Sequence, residues 1–483
     1  MLFWIYTANS AIFDPNSRRG HELRLFLRQK GGPHNRRQTV DSLGLSLLES
    51  QRYTGKLGDV DSLFRLCGIG SGVNSMDLLG KLFSKKTPTC DEFASVLMKA
   101  LSQAGVQNIV YDKAQFLLKY GGSEGTIFLE NSFANYCKCD KREREAIVAR
   151  LCSAFRSIPE VPEDFKSAAP FLMPVIQDAS YASLSELSLR AKKLDVSKME
   201  YPTKPLFGSL VVGLAYDTEH SIQQLNQTAL DPWGVSFEEA FKVAKDNLRD
   251  KTDPNGMVQV APDVYESRWG DSYDSARILL TDLIYRLSLS GDPVALVPNR
   301  NQLWIAGSRN PDALSTLLKV AEVAHFEPYP ISPSLFWLDD GAWSEYVSED
   351  SAFRKLAASI QRRREATDYQ QQKESLNAIH EVENIDIFVA SYNVYKQKDG
   401  AEYSACIWTH DVDSLLPKTE RIFFLVDKDA KDHITVPWET ALSVVAERME
   451  AEPGIRPPRY RVRSFPALEQ IARLRELGSP MTA

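Results

Sequence analysis

The chain contains no run of about 18 apolar residues, so nothing in it reads as a membrane-spanning helix. Cysteine is scarce, with six scattered over 483 residues at positions 67, 90, 137, 139, 152 and 406. That scatter fits the reduced thiols of a cytoplasmic protein rather than a disulfide framework. Histidine is nearly as scarce, seven in all, and no H-E-x-x-H pair sets two of them on one helix face. No G-x-S-x-G turn presents a nucleophilic serine. Gly68, Gly70 and Gly72 lie in the one stretch resembling a dinucleotide loop, but Val73 stands where the third glycine is needed and no strand precedes it. Met1–Tyr6 is apolar but lacks a basic leader and a long enough apolar core for a signal peptide. A formal net charge of -7 disfavours whole-molecule binding to nucleic acid and leaves only a local basic patch to consider.

What is present is ordinary globular material, 43% hydrophobic and 25% charged, in a chain too long for one ordinary core. The clearest patterning runs from Asp231 to Gly307. Ser236 and Glu239 form an S-x-x-E capping pair, and Phe237, Ala240, Phe241, Ala244 and Leu248 follow on one helical face. Asp253-Pro254-Asn255-Gly256 breaks that helix. A second helix is expected from about Tyr273 to Ser288. Strands at Val294–Val297 and Gln302–Ala306 then flank a four-residue hairpin loop, Pro298–Asn301. Asn310-Pro311 starts the next amphipathic helix.

The run WGVSFEEAFKVAKDNL, then SYDSARILLTDLIYRL, then VALVPNRNQLWIAGS, then PYPISPSLFW resembles the bacterial YtpQ-like family of unknown function, over about residues 76–346. The order and spacing of the four blocks carry the likeness. The resemblance implies no catalytic residue set.

The expected fold class is α+β. Residues 1–75 have little periodicity and read as a poorly patterned extension, with Met76 a natural start. Residues 76–205 read as an N-terminal α+β unit. Thr89 with Glu92, and Asp140 with Glu143, open helices around strands near 109–111, 115–120 and 126–129. Phe93, Val96, Leu97, Ala100 and Leu101 are the expected apolar face of the first helix, which Gly105 ends. Its tail, 157–205, is a proline-punctuated connection with a helix around 183–194. Residues 206–349 form the central α+β unit, 350–386 a polar helical linker, and 387–478 a C-terminal βββαβ domain.

Four stretches invite chemistry. Cys137-Lys138-Cys139 lacks the second ligand pair of a zinc site and the redox spacing, and reads as small residues at a helix entry. His410-Asp411-Val412-Asp413 sets a base beside carboxylates but reads as a loop. Gly270–Asp274 and Arg300 could meet an anion, with capping the simpler role for the aspartates. Arg459, Arg461 and Arg463 recur at the strand period, which puts three guanidinium groups on one face, with no acidic residue between Glu452 and Glu469. They are the candidate anion- or partner-binding residues. Arg362, Arg363 and Arg364 read as solvated.

The expectation is therefore a cytoplasmic binding or protein-interaction protein without catalysis, metal, cofactor or membrane attachment, its partner an unidentified protein or an acidic molecule. The alternatives are an enzyme whose site is assembled from dispersed polar residues, and nucleic-acid contact through the C-terminal arginine face.

Overall fold

A computed structural model describes residues 88–478, apart from 122–124, 157–159, 198, 220, 325–326, 398–399 and 427–431. The expectations for residues 1–75, for the Gly68–Gly72 stretch and for a start at Met76 lie outside the described residues. From Cys90 onward the chain belongs to one compact unit of mixed α+β structure.

Helix α1 (Cys90–Gln103) ends at Gly105, whose φ of 94° suits glycine. Strands β1 (Val110–Asp112), β2 (Leu117–Tyr120) and β3 (Gly125–Phe128) form an antiparallel meander. Helix α2 (Glu130–Lys138), which periodicity did not announce, leads to α3 (Lys141–Arg156). At the start of α3 the Glu143 N–H donates to the Asp140 carboxylate at 3.0 Å, and the Asp140 N–H returns the bond at 3.1 Å. Phe93, Leu97, Leu101, Leu118, Ile127 and Leu151 close this core, while Val96 stays 43% exposed.

The proline-punctuated stretch hides a strand. Strand β4 (Leu172–Asp178) pairs antiparallel with β6 (Leu210–Asp217), from Leu172 opposite Tyr216 to Asp178 opposite Leu210, and the short β5 (Lys204–Pro205) and β7 (Ile222–Gln224) also pair with β6. Pro174 fits because β4 stands at the end of the sheet, where a missing N–H costs no ladder bond. Helix α4 (Tyr181–Ala191) follows it. Helix α5 (Phe237–Asp250) has the expected reciprocal cap at Ser236 and lays Ala240, Ala244 and Leu248 in the core, against β4. Beyond it, β8 (Met257–Ala261), β9 (Val264–Ser267), β10 (Pro293–Leu296), β11 (Trp304–Gly307), β12 (Leu335–Asp339) and β13 (Ala342–Glu345) make one sheet in the order β13-β12-β10-β11-β9-β8. The β10–β11 hairpin closes with Leu296 opposite Trp304, so its loop is wider than the four residues expected. Helix α6 (Pro311–Ala324) covers this sheet, its Ala313 N–H donating to Asn310 Oδ1 at 3.2 Å.

The second helix, expected over Tyr273–Ser288, does not form as one piece. The segment holds a 3₁₀ stretch, Ser275–Leu279, and a single turn, Thr281–Ile284, separated at Leu280. Ser275, Ala276, Arg277 and Ile278 are all buried, so every side of the 3₁₀ stretch meets protein, while Tyr285 and Arg286 beyond it are exposed. The path of that stretch answers to the neighbours all round it and not to one apolar stripe.

Helix α7 (Ser351–Glu383) is 33 residues long. It is not a solvated linker. Ile360 enters the core under the central sheet, while Leu376 and Ile379 enter another with Leu187 of α4. Two of the three arginines tie it to neighbouring elements, and the third bonds along the helix itself. Arg362 makes a two-pronged bond to Glu420 at 2.8 and 2.7 Å, Arg363 reaches Glu322 of α6 at 3.0 Å, and Arg364 reaches Asp368 at 2.9 Å.

The C-terminal region exceeds the expected βββαβ. Strand β14 (Phe388–Val389) is separate from β15 (Asn393–Lys396), and β15 turns antiparallel into β16 (Glu402–Thr409). Strands β17 (Ser414–Pro417) and β19 (His433–Pro437) were not anticipated. They flank β18 (Arg421–Leu425) in the chain. Helix α8 (Trp438–Val445), β20 (Glu450–Ala451), β21 (Arg459–Val462) and α9 (Leu468–Leu477) complete two four-stranded sheets, β15-β16-β18-β19 and β14-β17-β21-β20. Trp408, Phe424, Val436, Trp438, Val462 and Leu474 share the core between them.

Candidate functional site

Arg459 and Arg461 lie in β21, and Arg463 stands one residue past its end; the three are covered to different depths. Arg459 is fully buried beneath α7. Its guanidinium donates to the Gln372 side-chain oxygen and to the carbonyls of Ala390 at 2.8 Å, Leu415 at 3.0 Å and Tyr369 at 3.2 Å. No carboxylate joins this set, and burial pushes the Arg459 pKa down to about 10, with Tyr369 and Cys406 opposing the shift. Arg461 lies nearer the end of α7 and pairs with Asp413 at 2.8 and 3.1 Å, which raises its pKa. Arg463, at the exposed end, pairs with Glu450. The row is therefore not an open basic face. Its neutralising groups come from elsewhere in the fold, and the His410–Asp413 loop supplies one of them.

Of the three, Arg461 reaches a cavity. A cleft of about 380 Å³ opens where α4, the last turn of α7, β17 and the loop Glu452–Ile455 meet. Leu187, Leu376, Ile379 and Leu415 are its buried floor, with Ile387 and Ile455 packed against them. Asn384 ends α7 in the left-handed conformation, and the Ile385 N–H returns to the His380 carbonyl at 2.9 Å, which turns the chain along the cleft wall. The facing loop is latched to α4. The Ser183 hydroxyl donates to the Gly454 carbonyl at 3.1 Å and accepts the Arg456 N–H at 3.0 Å.

These bonds decide what the cleft can do. The Ser183 proton is held by the Gly454 carbonyl and not by a base. His380 sets Nδ1 3.1 Å from the Ile387 carbonyl oxygen. Arg190 reaches Glu383 at 3.4 Å across the mouth. An apolar floor inside a charged rim suits holding a ligand. Sequence reading named Arg461 but missed every other wall, because the cleft is assembled from segments some 270 residues apart.

A second cluster lies under the four patterned blocks. Arg277 is fully buried and forks onto Asp271 at 2.9 and 2.6 Å, while its Nε donates to Thr252 Oγ1 at 3.0 Å. The guanidinium sits 4.3 Å from the Trp269 ring centre. A Cβ at Gly256 would lie 2.0 Å from that indole, so the breaker glycine also makes room for the ring. Asp274 accepts the N–H groups of Trp269 at 3.2 Å and Gly270 at 3.1 Å. Burial, reinforced by the charge of Asp271, pushes its pKa up to about 6. Arg300 places its guanidinium 4.0 Å from the Tyr329 ring centre and takes the Ser275 N–H on its carbonyl at 3.2 Å. The aspartates of Gly270–Asp274 thus bond backbone and arginine in place of an external anion.

Cys137 lies in the last turn of α2 and Cys139 caps that helix, two residues before α3 begins, so the pair sits between one helix exit and the next helix entry. Burial raises both thiol pKa values, leaving them poor thiolates. Among the described residues no group of three or more His, Cys, Asp or Glu could hold a metal ion, and no helix is long and apolar enough to cross a membrane. No protein-family model, no curated protein and no solved structure matches the chain.

Proposed function

We propose that this is a non-catalytic binding protein that captures its partner in the cleft between α4, the end of α7 and the Glu452–Ile455 loop. The observation that carries the reading is that the cleft joins an apolar floor to a charged rim while Ser183, Arg190 and Arg461 are each bound within the fold. Cytoplasmic residence belongs to the same proposal, supported by the described cysteines, all of which are free. So does kinship with the YtpQ-like family, which rests on the four sequence blocks. Affinity capture from the native host tests the function, with a Glu186→Arg, Glu452→Arg protein as control. The parent is expected to retain a partner that the variant loses. Equal capture by both proteins would remove the cleft as the site.

A further inference from the structure

The charges around the cleft differ in how fully they are answered, and the difference indicates what it holds. Both lining arginines already have carboxylates, Arg190 in Glu383 and Arg461 in Asp413. Glu186 stands exposed on α4 with no salt-bridge partner among the described residues, and Glu452 lies on the facing loop. Glu452 feels Arg461, whose charge Asp413 has already neutralised. The rim thus offers three carboxylates, Glu186, Glu383 and Glu452, against two guanidinium groups that are both engaged. An anionic ligand would have to displace an existing ion pair and then lie beside Glu186 and Glu452. A cation meets neither obstacle.

The floor sets the other half of the chemistry. It is built from Leu187, Leu376, Ile379 and Leu415, and Ile385 carries the apolar surface out to the mouth at 36% exposure. A volume of about 380 Å³ is at the small end for ligand pockets, enough for one or two side chains and too little for a large cofactor. Resting on the binding reading above, we propose that the occupant is a short peptide segment of a partner protein. It carries a branched apolar side chain for the floor and a lysine or arginine beside it for Glu186 and Glu452. This reverses the partner expected from the β21 arginines, because the fold consumes their charge internally.

Selection from a phage-displayed library of random nine-residue peptides on the full chain tests this. Enrichment of sequences that combine Lys or Arg with Leu, Ile or Val is expected. A fluorescein-labelled selected peptide should bind the Glu186→Arg, Glu452→Arg protein at least about tenfold more weakly, since like charges then oppose. Both variant positions lie on the rim, so an unchanged melting temperature reports an intact fold. Cleft-dependent enrichment of acidic or purely polar peptides overturns the basic–apolar partner and leaves binding at the cleft standing. Enrichment that ignores a Leu187→Ala, Ile455→Asp change, or no enrichment at all, overturns the cleft itself.

Discussion

Arg459 is a buried cation answered only by neutral oxygens, and its loss should be felt in stability. Arg459→Gln strands the carbonyls of Ala390, Leu415 and Tyr369 in the interior and should cost about 3–5 kcal/mol in a urea titration. Arg463→Gln removes an exposed pair and should fall within about 0.5 kcal/mol of the parent. Equal small effects at both positions would mean that Arg459 is not buried as described. Asp274 makes a pH prediction. Its folded pKa of about 6 lies above that of a free carboxyl, so ionising it disfavours the folded state. Its stabilising contribution is complete below about pH 4 and is lost as pH rises through about 6. The stability of the parent relative to Asp274→Asn should therefore fall by about 3 kcal/mol between pH 4 and pH 7. A flat difference across that window would show that Asp274 titrates normally.

Helix α5 shows how far local pattern reaches. Ser236 and Glu239 cap it as their spacing indicates, and Ser236→Ala should cost about 1 kcal/mol. Leu248 is fully buried, and Leu248→Ala should cost about 2–5 kcal/mol. Phe241 is only partly buried, stacked near Phe237 with Lys204 over its ring, so Phe241→Ala should cost less than a core phenylalanine. Urea midpoints for the three variants would order them. Helix α7 shows the opposite limit. Its polar sequence suggested water on all sides, yet Tyr369, Gln372 and Asp368 are buried in it. Polar residues satisfied by another element look identical, in sequence, to polar residues satisfied by solvent.

Because α7 enters both the core of the central sheet and that shared with α4 and β17, the two halves should not melt apart. Calorimetry of the full chain should show one transition over the central and C-terminal regions, with a van't Hoff enthalpy close to the calorimetric one. Ser375→Pro, which breaks α7 between its anchors, should split or broaden it. Two resolved transitions in the parent would make α7 a linker after all.

Local signals were enough for the α+β class, the capped helices α3 and α5, the β10–β11 hairpin, the stop at Gly105 and, among the described residues, the absence of a spanning helix. Each depends on residues a few positions apart, where backbone geometry and apolar periodicity act directly. Tertiary structure alone decided the rest. It broke the Tyr273–Ser288 segment, whose Ser275–Ile278 stretch is buried on every side. It placed Pro174 on a sheet edge and sank Arg459 under α7. It also brought Ser183 to Gly454 and Arg461 to Asp413, closing a cleft whose walls the chain keeps far apart. Burial and charge pairing are properties of neighbours in space, and a sequence specifies those neighbours only through the whole fold.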